Sequence, residues 1–76
     1  MKNKYCAQVL DNDDLEFMLV DDEVLEIWER CWKIEGGDIG QIDDVIFVMG
    51  NSKEEIKKKY DDFVIREING EVNWNV

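Results

Sequence analysis

The segment Asp22–Ile34 constrains the fold most, because its apolar residues repeat at the spacing that a helix places on one side. At about 100° per residue, one half of the helical wheel is apolar and the other half is charged. An apolar half of about 180° is wider than the roughly 100° stripe that usually covers one core. We therefore expect a helix over Asp22–Ile34, capped by Asp21 or Asp22, with a flank that a second protein could cover. The apolar half contains Val24, Leu25, Ile27, Trp28, Cys31, Trp32 and Ile34, and the charged half contains Asp22, Glu26, Glu29, Arg30 and Lys33.

The length of 76 residues leaves room for a single domain, residues 1–76, near the lower limit for chains that fold alone. An apolar content of 45%, with three Trp and three Phe, is sufficient for a packed core despite the high charge. We expect a folded, acidic domain.

Two strands joined by a turn precede the helix. Tyr5–Leu10 and Leu15–Val20 are rich in residues compatible with β-structure. The intervening residues, Asp11–Asp14, are of the kind that form turns. These segments predict a β-hairpin. Paired carboxylates at Asp11 and Asp13 also resemble the start of a calcium-binding loop, but Glu16 stands where that loop needs glycine.

The middle of the chain predicts a loop followed by a strand. Gly36 and Gly37 are expected to end the helix, and Asp38–Asp43 to form a loop. Asp44–Met49 is a continuous apolar run, which is typical of a central strand covered on both faces.

The last third of the chain predicts a short helix and a second hairpin. Ser52 and Glu55 match a capping box, in which Ser52 caps the helix and Glu55 reaches back. The dipeptide at 69–70, Asn-Gly, lies between Phe63–Ile68 and Glu71–Val76, and it is a preferred turn between two strands.

These elements together predict an α+β fold. The expected order is β-β-α-β-α-β-β, with a four- to five-stranded, mainly antiparallel sheet and the two helices packed on one side of it. The order of strands within the sheet does not follow from the sequence.

Residues that usually carry catalysis are scarce. The chain has no histidine, no threonine and one serine, Ser52, whose capping role already accounts for it. It contains neither GxxxxGK[ST] nor GxGxxG, the glycine-rich phosphate-binding motifs. We expect no enzymatic activity, no cofactor and no metal.

Negative charge is concentrated in one part of the chain. The net charge of −10 opposes direct binding to nucleic acid or to an anionic membrane. Between Asp11 and Glu29 there are nine acidic residues and no Lys or Arg, whereas from Ser52 onward six acids accompany five bases. Such a segment can be a solvated surface that keeps the chain soluble. Alternatively, its carboxylates approximate a row of phosphates and attract the basic surface of a protein partner.

Trp28, Cys31 and Trp32 form an aromatic cluster with two interpretations. The cluster can pack in the core, or it can form a surface for a partner or for homodimerisation, since Trp is frequent at interface hot spots. Cys6 and Cys31 have no CxxC or metal-type spacing, and we expect two buried thiols in a cytoplasmic protein, although a disulfide between them remains possible. No apolar run approaches the roughly 18 residues of a membrane span.

In size, acidity and lack of catalytic residues, the chain resembles the small inhibitor proteins of phages and mobile elements, including anti-CRISPR proteins and DNA mimics. The resemblance is one of composition and covers no motif, so it assigns no site. Our first hypothesis is a non-catalytic inhibitor that binds the basic, nucleic-acid-binding surface of a protein. The alternatives are a toxin-neutralising or accessory subunit that associates through the aromatic face, and a protein that sequesters a small molecule. The candidate partner-binding residues are Asp11, Asp13, Asp14, Glu16, Asp22, Glu26, Glu29, Trp28 and Trp32.

Overall fold

The computed structural model describes residues 3–34 and 37–72. The predicted α+β class is confirmed, with five antiparallel strands and two helices. The elements along the chain are β1 (Tyr5–Val9), β2 (Leu15–Leu19), α1 (Asp22–Arg30), β3 (Trp32–Lys33), β4 (Ile39–Ile42), β5 (Val45–Gly50) and α2 (Lys53–Ile68).

The sheet has the strand order β2-β1-β5-β4-β3, and every neighbouring pair is antiparallel. The predicted hairpin is confirmed as β1 and β2, with Cys6 opposite Met18 and Ala7 opposite Phe17. The predicted central strand is confirmed as β5, which lies between β1 and β4.

The two helices cover opposite faces of the sheet. Neighbouring residues of a strand point to opposite faces, and Cys6 and Ala7 are such neighbours in β1. Cys6 lies against Trp28 of α1, whereas Ala7 belongs to the core cluster that contains Ile56 and Phe63 of α2. The expectation that both helices pack on one side is therefore wrong, and neither face of the central strands is left open to solvent.

α1 is shorter than the apolar spacing predicted. It ends at Arg30, and the chain continues as the edge strand β3 instead of reaching Ile34. Ile34 donates its backbone N–H to the Ile39 carbonyl, 2.9 Å away, and its side chain is buried in the core on the α2 side. Pairing with β4 replaces the last helical turn, and one of the two predicted terminating glycines, Gly36, lies outside the described residues.

The segment predicted as a loop contains the strand β4. A glycine in β4 permits the close approach of the chain that follows α1, because a Cβ atom at Gly40 would lie 2.8 Å from the Cβ atom of Cys31 and 3.1 Å from the Trp28 ring. Ile39, the neighbour of Gly40, points to the opposite face and is buried there.

α2 replaces the first strand of the predicted C-terminal hairpin. Helix α2 continues to Ile68, so the chain order is β-β-α-β-β-β-α. The Glu71 N–H donates to the Arg66 carbonyl at 2.8 Å and the Gly70 N–H donates to the Glu67 carbonyl at 3.1 Å, the two bonds of a Schellman motif. Gly70 has a φ of +73°, which this motif requires. The predicted second strand, Glu71–Val76, lies outside the described residues from position 73 onward, and Glu71 and Val72 are not in a strand.

Both predicted helix starts are confirmed. An Asp21 carboxylate oxygen accepts the Val24 N–H at 2.9 Å, and Ser52 Oγ accepts the Glu55 N–H at 3.1 Å. The Glu55 carboxylate reaches back to accept the Asn51 N–H. Each cap satisfies backbone donors that a helix leaves without an internal partner.

Candidate functional site

The outer side of α1 carries three of the candidate carboxylates. The inner side of this helix packs on the sheet through Val24, Ile27 and Trp28. Asp22, Glu26 and Glu29 follow one another at the four- and three-residue spacings that share a helix face, and all three are exposed. We call Asp22, Glu26 and Glu29 the α1 acidic face.

Glu16 lies on the same side of the sheet as the α1 acidic face. It is two residues from Met18 in β2, so the two side chains point to the same side, and Met18 contacts the inner side of α1. Glu16 is exposed. The structure thus places four of the seven candidate acids on the α1 side.

The acids of the β1–β2 turn, in contrast, face α2. Asp13 and Asp14 line a groove together with residues of α2, and the Tyr60 hydroxyl donates a 3.3 Å hydrogen bond to Asp13 Oδ1. The acidic residues between Asp11 and Glu29, which are close together in the sequence, are therefore divided between two sides of the sheet. Asp11 is exposed in the same turn.

Internal hydrogen bonds account for the residues of this turn. The Asp14 N–H donates to Asn12 Oδ1 at 3.1 Å, and Asn12 Nδ2 donates to Asp14 Oδ2 at 2.9 Å. The Asp13 N–H donates to the Leu10 carbonyl at 2.9 Å, and Asp13 takes a φ of +68°, which Asp tolerates in turns. Within residues 3–34 and 37–72, no group of three or more His, Cys, Asp or Glu side chains could hold a metal ion.

The nine acidic residues between Asp11 and Glu29 are all exposed. In the described part of the chain, the recorded ion pairs are those of Lys59, at 2.7 Å to Asp38 and 3.7 Å to Glu55. None of the nine takes part in either pair, although Lys57 lines the same groove as Asp13 and Asp14. Their charge is available to an external cation.

The two candidate tryptophans do not form one surface. Trp28 is half-buried between α1 and the sheet, with Lys33 Nζ 5.1 Å from its ring centroid. Trp32 belongs to β3, is 56% exposed, and pairs with Gln41 on the face that α2 covers. The predicted aromatic face of a single helix is therefore wrong, and Trp32 is exposed alone at the far edge of the sheet.

Both cysteines are free and buried, as the sequence predicted. Burial, with a smaller contribution from the nearby Cys31, raises the pKa of the Cys6 thiol to about 11. Burial also raises the pKa of Cys31, against the lowering effect of Lys33 and Arg30. Thiols with raised pKa values are protonated at neutral pH and are therefore poor nucleophiles.

A groove of about 1240 Å³ lies between β2 and α2, and sequence reasoning missed it. The groove forms because α2 extends to Ile68. The sequence pattern predicted a short helix followed by a hairpin instead. The lining residues are Asp13, Asp14, Leu15, Phe17, Lys57, Tyr60, Asp61, Val64, Ile65 and Glu67. The apolar members come from both elements, and the charged members are four carboxylates and one ammonium.

Comparison with protein-family models, with curated proteins and with solved structures found no match to this chain. The candidate surfaces are therefore interpreted from their own geometry. Neither helix of the described residues is both long enough and apolar enough to cross a bilayer.

Proposed function

We propose that this chain is a non-catalytic, acidic interaction protein that binds a basic, nucleic-acid-binding surface of a protein partner through the α1 acidic face. The observation that supports this function is the exposure of the carboxylates between Asp11 and Glu29, none of which has an ion-pair partner among the described residues. Three of them lie a helical turn apart on α1, and Glu16 of β2 lies on the same side of the sheet.

Carboxylates in this arrangement attract cations over distances close to the Debye length, about 8 Å at physiological salt. They would accelerate association with a basic surface and occupy the positions that nucleic-acid phosphates take. Binding of this kind would prevent the partner from binding nucleic acid without any chemical reaction. It is the mode of action expected of an inhibitor of the kind that phages and mobile elements encode, and we place it in the cytoplasm, which the free cysteines support.

The test is a pull-down with the wild-type chain and with the Glu26→Lys/Glu29→Lys variant at low and high salt. A captured nucleic-acid-binding protein should be lost at high salt, lost with the variant, and released by duplex DNA. A matched Glu54→Lys/Glu71→Lys variant changes the net charge equally at exposed positions in and after α2. Capture that both variants weaken equally, or that DNA does not displace, would contradict this function.

A toxin-neutralising or accessory subunit is the second candidate, supported by the 56% exposure of Trp32 at the β3 edge. Association through this residue would bury apolar area and depend little on salt. Trp32→Ala would weaken it while Glu26→Lys/Glu29→Lys would not. Sequestration of a small molecule has less support, since the groove beside α2 is open, whereas ligand pockets bury most of the ligand.

A further inference from the structure

β2 is an edge strand with backbone groups that point away from the sheet. The Val20 N–H donates to the Lys4 carbonyl at 3.0 Å, so the even-numbered residues at this end of the hairpin bond to β1. Alternate residues of an antiparallel strand direct their N–H and C=O groups to opposite sides. Leu15, Phe17 and Leu19 therefore present their backbone donors and acceptors outward, where no described strand pairs with them.

This edge lacks the usual protection against pairing. Edge strands are commonly blocked by Pro, Lys, bulges or short length. β2 has five residues in unbroken register with β1, no Pro or Lys, and one charged residue, Glu16. The opposite edge strand, β3, has two residues. The two edges of the sheet are therefore unequal, and β2 is the one able to accept another strand.

The groove beside α2 lies where the side chains of an added strand would point. Leu15 and Phe17 lie on the α2 side of the sheet and line this groove, as do Val64 and Ile65 of α2. A strand paired with β2 would lie roughly 4.8 Å farther out and would direct alternate side chains to the same side. Those side chains would pack against Val64 and Ile65, the latter 60% exposed. An occupant with apolar residues at every second position fits this geometry.

The rim of the groove determines the charge of the occupant. Among the described residues, the four carboxylates of Asp13, Asp14, Asp61 and Glu67 outnumber two ammonium groups, that of Lys57 in the lining and that of Lys53, which lies 5.5 Å from the centroid of the Phe17 ring. A second copy of the chain would bring the same carboxylates together across a two-fold axis, and each copy carries a net charge of −10. Like charges oppose that pairing, whereas Lys or Arg residues at either end of the apolar run, on the same face of the added strand, would complement the rim.

We propose that the outer edge of β2 and the groove beside α2 form a binding site for an extended, basic segment of a partner protein. The segment adds as a sixth, antiparallel strand, places alternate apolar side chains in the groove, and pairs its basic residues with the carboxylates of the rim. This site is separate from the α1 acidic face. It engages main-chain groups in the mode of strand addition, in which backbone bonds supply affinity and side-chain pockets supply specificity.

The first test uses a short, capped peptide in which lysine, valine, valine and lysine occupy every second position, with serine between them. In an antiparallel pair, residues directly opposite share a face, so the valines would lie opposite the groove-lining residues of β2 and bond to their backbone, and the lysines would point to the same side at the ends of the groove. N-methylation of the valines should weaken binding at least about tenfold, whereas N-methylation of the serines should leave it nearly unchanged. Equal binding of the two methylated peptides, or of a peptide in which the two valines are adjacent, would overturn strand addition.

The second test removes one backbone donor at the edge. The Leu19 N–H points outward and its side chain is 66% exposed, so Leu19→Pro deletes an edge donor without deleting a bond to β1. Leu19→Ala shortens the same side chain and keeps the donor. Peptide binding should fall at least about tenfold in the proline variant relative to the alanine variant. Equal affinities of two variants whose circular dichroism is unchanged would overturn the proposal.

The third test separates the rim from general attraction to an acidic protein, and it does not depend on the proline variant. Asp61→Lys/Glu67→Lys alters the rim, and Glu26→Lys/Glu29→Lys makes the same charge change on α1. The rim variant should lose peptide affinity by at least about tenfold and the α1 variant by about threefold or less. Equal losses would overturn this site and leave the proposed function of the α1 acidic face untouched. A dimer of the wild-type chain that Leu19→Pro dissociates would show that a second copy, and no basic partner, occupies the edge.

Discussion

The Tyr60 hydroxyl donates a hydrogen bond to Asp13 Oδ1 across 3.3 Å and joins the third turn of α2 to the β1–β2 turn. Burial raises the pKa of Tyr60 most, followed by the charge of Asp13 and this hydrogen bond. Both residues line the groove beside α2, and the contact explains why Asp13 belongs with α2 and not with the carboxylates of α1.

Asp13→Asn should lower the pKa of Tyr60 towards its usual range. The variant removes the negative charge that disfavours the phenolate, while burial of the ring continues to raise the pKa. Absorbance of the phenolate, followed against pH in a Tyr5→Phe background, reports Tyr60 alone. Asp11→Asn is the matched control, because Asp11 is in the same turn and is not among the causes of the shift. An equal change in both variants would mean that the hydrogen bond does not form in solution.

Stability should decline at alkaline pH through the Cys6 thiol. Burial, followed by the charge of Cys31, raises the Cys6 pKa from 9.0 to about 11. The Cys6 thiol therefore loses its proton at a lower pH in the unfolded chain than in the folded chain. Its contribution to the free energy of unfolding is complete below about pH 9 and is lost as the pH rises towards 11. Urea unfolding at about pH 8 and pH 10 measures the loss, at most about 1.4 kcal/mol per pH unit.

Cys6→Ala is the control for that decline. Cys31 and Tyr60 also have raised pKa values and will contribute in the same direction. The free energy of unfolding of the alanine variant should therefore fall less steeply with pH than that of the wild type. Parallel curves for the two proteins would exclude Cys6 as a source of the pH dependence.

Gly40→Ala should destabilise the chain more than Gly70→Ala. A methyl group at Gly40 meets the Cβ atom of Cys31 at 2.8 Å, and forcing extra atoms into such a contact costs about 1–3 kcal/mol. Gly70 has no neighbour within 4 Å, so its cost arises from the positive φ and should be about 1 kcal/mol. Chemical denaturation of both variants measures the difference, and the reverse order would contradict the close approach of β4 to the end of α1.

Two isoleucines of α2 should differ sharply in their contribution to stability. Ile56 is fully buried in the core, and Ile56→Ala should cost about 2–5 kcal/mol. Ile68 lies on the same helix with 79% exposure, and Ile68→Ala should change stability by less than about 0.5 kcal/mol. Similar losses at both positions would indicate that residues 63–68 do not continue the helix.

The sequence predicted elements wherever the local signal had one physical solution. Runs of β-compatible residues on either side of the Asp-rich turn specified the first hairpin, and Asp21 and Ser52 specified the helix starts. Asn69 and Gly70 led to a wrong prediction because Asn-Gly is compatible with two structures. It forms a hairpin turn, but it also ends a helix when the first residue lies near the αR region and the glycine has a positive φ. Phe63 packs in the core beside Ile56, and this packing favours the helix over a strand at residues 63–68.

The candidate site was only partly predictable because sequence proximity does not fix the side of a sheet. Glu16 and Asp14 are two residues apart along the chain, yet one lies on the α1 side and the other lines the groove beside α2. The exposure of the acidic residues followed from their charge. The division of these acidic residues into two groups depends on the path of α2 across the sheet, and so does the groove. No local sequence pattern predicts that path.

The unequal edges of the sheet limit how far strand pairing can extend. A cross-β stack grows when every molecule both receives a strand on one side and offers a strand of similar length on the other. In the described part of this chain, β2 has five residues and β3 has two. The edge at β3 therefore does not match the edge at β2, so folded copies of the chain lack the repeating contact between opposite edges from which such a stack would grow.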